Sequence, residues 1–63
     1  MKQITPAVIT AIRRNLVEFG YQVDDATVKA EVDKVVAGEK PTVIGMFAGT
    51  MLREGGYLPE EAN

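Results

Sequence analysis

Apolar residues recur at three- and four-residue spacing in three separate blocks of this chain, and each block is bounded by residues that start or stop helices. In the first block Val8, Ile9, Ile12, Leu16 and Phe19 fall within about a third of a helix circumference, at about 100° per residue. Thr5 supplies an N-cap, Pro6 suits the first helical position, and Gly20 supplies a left-handed stop. The spacing predicts a helix over 5–19.

The second block opens at Asp24 or Asp25, which cap a helix and favour the positive end of its dipole. Val28, Val32, Val35 and Val36 form a narrow stripe that ends at Gly38. Valine lowers helix propensity, but these valines do not alternate, so the helical period prevails over 25–37. Asp25 with Lys29, and Glu31 with Lys34, are spaced for intrahelical pairing.

The third block runs from Pro41 or Thr42 to Gly55 and predicts a helix over 42–54. Val43, Ile44, Phe47, Ala48, Met51 and Leu52 spread over about half the circumference, which suits contact with two neighbours. Gly45 and Gly49 lie four apart beside that arc, and each costs about 1 kcal/mol relative to alanine in a helix interior. Close approach of another helix, internal or from a partner, is the compensation they imply.

A weak internal echo accompanies these blocks. "PAVI" at 6–9 matches "PTVI" at 41–44, and "FGYQVDD" at 19–25 matches "GGYLPEE" at 55–61. Two partial matches read as the same start and stop chemistry used twice. Tyr21 and Tyr57, each following a capping glycine, are expected to cover the ends of the first and third helices.

The expected fold is all-α: a compact three-helix bundle with short loops over residues 1–58, with 59–63 as a frayed C-terminal tail. Ile9, Ile12, Leu16, Phe19, Val28, Val32, Val35, Ile44, Phe47, Met51 and Leu52 form the expected core, with the third helix the most buried. On that reading, Phe47→Ala costs about 3–5 kcal/mol.

Length changes the picture next. A 63-residue chain holds one modest core near the lower limit for folding alone, so self-association or partner burial enters at once. The chain has no cysteine, histidine, tryptophan or serine. Zinc sites of nitrogen and sulfur ligands, Ser-His and Cys-His nucleophiles, and a serine-linked carrier group are therefore excluded. Asp24-Asp25 and Glu60-Glu61 are adjacent pairs whose side chains diverge by about 100° on a helix, and no calcium-loop spacing surrounds them. The glycines fit neither phosphate-loop fingerprint. The expectation is a non-enzyme with no cofactor and no metal.

The apolar stretch near Val43 is far short of the roughly 18 residues of a membrane span, and no secretory signal precedes it. No membrane partner is expected, and the cytoplasm is the default location. Two binding readings follow. The first is a protein-interaction or regulatory accessory module, open to forming a homodimer, that docks through an apolar and glycine face of the third helix at Gly45, Met46, Gly49 and Arg53. The alternative is a helix-turn-helix-like DNA-binding regulator in which Arg13 and Arg14 touch phosphates. A formal charge of −2 and an apolar would-be recognition helix both oppose it, so a nucleic-acid partner is not favoured.

Overall fold

A computed structural model describes residues 1–59. The chain forms three helices: α1 (Pro6–Glu18), α2 (Asp25–Ala37) and α3 (Val43–Glu54). No strand occurs among the described residues. The fold is thus the all-α three-helix bundle expected from the apolar spacing. The tail expected at 59–63 lies outside the described residues except for Pro59.

The first two helices start as their sequences dictate. Thr5 Oγ1 accepts the Val8 N–H at 3.4 Å, with Pro6 at the first helical position. Asp24 Oδ1 accepts the Thr27 N–H at 2.8 Å, and hydrogen bonding from Thr27 holds the Asp24 carboxyl below its ordinary range.

All three helices end the same way. Gly20, Gly38 and Gly56 take left-handed φ values of 98°, 77° and 83°, which cost a residue without a Cβ nothing. The next residue then donates its N–H back to the final turn: Tyr21 to Leu16 O at 3.0 Å, Glu39 to Lys34 O at 2.9 Å, Tyr57 to Leu52 O at 2.8 Å. Tyr21 and Tyr57 also pack against the core from those positions. Helix α3 ends at Glu54 as the sequence suggested; Gly55 stays right-handed and Gly56 makes the turn ahead of Tyr57.

Ile9, Ile12 and Leu16 of α1, Val28 and Val32 of α2, and Ala48 and Leu52 of α3 form the buried core. Ile44 and Met51 are half-buried against it, and Val35 is half-buried. Two expected core residues are not there. Phe19 is 72% exposed and Phe47 is 40% exposed. Phe19 lies at the cap of α1, where the chain has already left the helix.

Phe47 is exposed because α3 is turned about its axis relative to the sequence expectation. The buried residues of α3 are Gly45, Ala48, Gly49 and Leu52, so this helix meets its neighbours along three small residues and then Leu52. That places Val43, Met46, Phe47, Thr50 and Glu54 on the outer side, all of them exposed. Helix α3 packs most extensively against α2 and least against α1. At the other end of the molecule, Lys2 N–H donates to Gly56 O at 3.1 Å, and Lys2 Nζ stands 5.3 Å from the Tyr57 ring centroid.

Candidate interaction surface

The start of α3 departs from the other two helices, and this sets which of its faces is free. Thr42 is the N-cap, but its hydroxyl makes no bond to its own first turn. It donates instead to Glu31 Oε1 of α2 at 2.6 Å, and the Thr42 N–H donates to the same oxygen at 2.7 Å. In a capping box, the third helical residue supplies a carboxylate to the N-cap N–H. Here that third residue is Gly45, and Glu31 does the work from the neighbouring helix.

Glu31 is 6% exposed, and its other oxygen accepts Lys34 Nζ at 3.0 Å. Hydrogen bonds from the Thr42 hydroxyl first, then from Lys34 and the Thr42 N–H, hold its carboxyl down at about 2. Every buried side-chain polar atom among the described residues is satisfied.

Gly45 makes the room this arrangement needs. A Cβ at position 45 would overlap the Pro41 Cβ and stand 2.9 Å from Glu31 Oε1. At Gly49 a Cβ would lie 3.3 Å from Val35 Cγ1 and 3.4 Å from an Arg53 guanidinium nitrogen. Both glycines therefore serve the contact between α2 and α3. The groove of about 460 Å³ above them is lined by Val35, Pro41, Met46, Thr50 and Arg53 as well as the two glycines. Of the four residues singled out for docking, Gly45 and Gly49 form its floor, Arg53 crosses it half-buried, and Met46 stands on its rim 62% exposed.

The larger apolar surface is on the outer side of α3. Val43 is 50% exposed, Met46 62% and Phe47 40%. At about 100° per residue these three span about 100° of arc, on consecutive turns. Phe47 is braced from one side by Tyr21, with ring centroids 5.6 Å apart and planes tilted by 55°. The apolar arc draws Val43 onto the inner side of α3 and puts Phe47 in the expected core, because both are large and apolar. The available signal was Gly45 itself: a threonine-started helix with glycine at its third position lacks its own capping carboxylate.

The basic pair is split by the fold. Arg13 Nε donates to Asp25 Oδ1 at 2.6 Å, and Thr10 Oγ1 donates to Asp25 Oδ2 at 2.7 Å. The Thr10 hydroxyl and then Arg13 hold the Asp25 carboxyl below its ordinary range. Arg14 is exposed with no ion-pair partner among the described residues. The proposed phosphate contact would have to compete with Asp25 for Arg13.

A second groove, about 430 Å³, lies between the start of α1 and α2 over Ile4, Pro6, Ile9, Val32 and Val36. Its charged lining groups are already engaged: Asp25 as above, and Lys29 with Asp33 at 3.0 Å. That last pair replaces the Asp25–Lys29 pairing expected from the sequence, while Glu31–Lys34 forms as expected. Among the described residues no cluster of three metal-ligating side chains occurs, and no helix is long and apolar enough to cross a membrane. Comparison with protein-family models, characterised proteins and solved structures found no match.

Proposed function

We propose that the chain is a small, non-enzymatic interaction module that docks a protein partner through the outer face of α3. One observation carries this reading. In its first two turns α3 buries Gly45, Ala48 and Gly49 and exposes Val43, Met46 and Phe47. Stability alone favours the reverse, since each large apolar side chain gains about 1.5–3 kcal/mol on full burial. A chain this small has few large apolar residues to spare.

The three side chains suit docking in different ways. Phe47 is a rigid aromatic anchor already held by Tyr21. Met46 is flexible and adapts to an uneven partner surface. Thr50 and Glu54 continue the same face as a polar rim. The glycines act from behind: they seat α3 on α2 in the rotation that turns this face outward.

The test is site-specific photo-crosslinking in cells, with a photoreactive residue at Met46 and a control at Ala30 on the exposed side of α2. The expected result is a discrete protein adduct from position 46 that is absent from position 30. The same adducts from both positions, or none from 46, would contradict the reading.

A further inference from the structure

We propose that the partner on the outer face of α3 is a second copy of this chain, with the two α3 helices antiparallel. This rests on the reading of that face as a docking surface. A two-fold interface must be self-complementary, so that a residue meeting a second residue on the partner is itself met in return. Lys40 stands exposed beside Glu39 just ahead of α3, and the outer face of the helix then runs Val43, Met46 and Phe47, Thr50, Glu54: a cation at the approach, an apolar middle, a polar residue and an anion.

Lys40 and Glu54 are exposed, and neither has an ion-pair partner among the described residues. Both also sit at the wrong end of their own helix. A cation lies just ahead of the positive N-terminus, and an anion occupies the last turn, where cations are favoured. An antiparallel second copy corrects both at once. Lys40 then faces the C-terminal end of the other helix and Glu54 of the partner subunit, and the reciprocal pair forms at the far end. A parallel arrangement stacks like on like. The apolar middle has three large side chains, well short of the roughly 800 Å² per partner of a standard interface, so association is weak and rises with concentration.

Sedimentation equilibrium of the whole chain, from about 10 μM to about 1 mM at low salt, reads this directly. The average mass is expected to climb from 6.8 kDa toward twice that value. Lys40→Glu alone and Glu54→Lys alone each weaken dimerisation by about tenfold, because either change makes both charge pairs repulsive. The double exchange, Lys40→Glu with Glu54→Lys, restores it to within about twofold. Circular dichroism of each variant checks that the helices persist.

A mass that stays at one chain throughout overturns the proposal. So does a dimer indifferent to both single exchanges and to Met46→Lys. A constant single-chain mass combined with a cross-linked adduct to a different protein at position 46 would overturn self-pairing and leave the docking face standing.

Discussion

Glu31 of α2 and Thr42 at the head of α3 are joined twice through one oxygen, by the threonine N–H at 2.7 Å and its hydroxyl at 2.6 Å. The carboxylate thus closes the first turn of a helix it does not belong to. Helix α3 is fixed in place and in rotation by this pair, with Gly45 leaving the space.

Acid should release this joint. The Glu31 carboxyl is depressed from 4.5 to about 2, so its contribution to stability is complete above pH 4.5, declines as pH falls, and is gone below about 2. Asp24 and Asp25, also held below their ordinary 3.8, act in the same direction. Thermal melting followed across this range should show a falling melting temperature in the wild type. In Glu31→Gln the melting temperature is already lower at neutral pH, and its acid slope is shallower because the Glu31 contribution is gone while those of Asp24 and Asp25 remain. An unchanged acid slope in that variant would remove Glu31 from the account.

The two glycines should respond differently to alanine. Gly45→Ala drives a Cβ into Pro41 and against the oxygen that holds Thr42, so overpacking of about 1–3 kcal/mol outweighs the helix-propensity gain of about 1 kcal/mol. Gly49→Ala first meets Val35 Cγ1 and the end of the Arg53 side chain, neither closer than 3.3 Å, and its effect should stay within about 1 kcal/mol of neutral. Urea denaturation of both variants checks the order, and a stabilised Gly45→Ala would show that α2 and α3 lie farther apart.

Leu52 and Phe47 give a second ranking. Leu52 is fully buried, and its truncation to alanine should cost about 2–5 kcal/mol. Phe47→Ala loses a 40% exposed ring and its contact with Tyr21, for about 1–2 kcal/mol rather than the 3–5 kcal/mol a core phenylalanine commands. Equal losses in the two variants would return Phe47 to the core.

The helices themselves were largely legible in the sequence, because their signals are local. Thr5-Pro6, Asp24, Gly20 and Gly38 each act within a turn of where they stand. The rotation of α3 was not legible from its apolar arc. Glycine adds nothing to such an arc, so the face that meets α2 was invisible while Val43 and Phe47 pulled the arc toward themselves. Spacing pairs Glu31 with Lys34 within α2, and that pair exists; its stronger partners, the Thr42 hydroxyl and N–H, lie 11 residues on, beyond any helical period. Spacing likewise pairs Asp25 with Lys29, whereas α1 presents Thr10 and Arg13 to it across the bundle.

That crossing yields one more expectation. Arg13→Ala should cost about 0.5–1 kcal/mol and raise the Asp25 pKa, while Arg14→Ala should stay within about 0.5 kcal/mol of the parent. Carboxyl carbon shifts followed through an acid titration separate the two, and an Asp25 that titrates identically in both variants would leave Arg13 without a partner.

The most direct measurement is a nuclear Overhauser spectrum of the chain in dilute solution. With α3 seated on its glycines, the Gly49 α-protons give strong cross-peaks to the Val35 γ-methyls, and the Val43 methyls give none to Val28 or Val32. Cross-peaks from Val43 to those two core valines, with Gly49 silent toward Val35, would turn the helix the other way round and take the outward face with it.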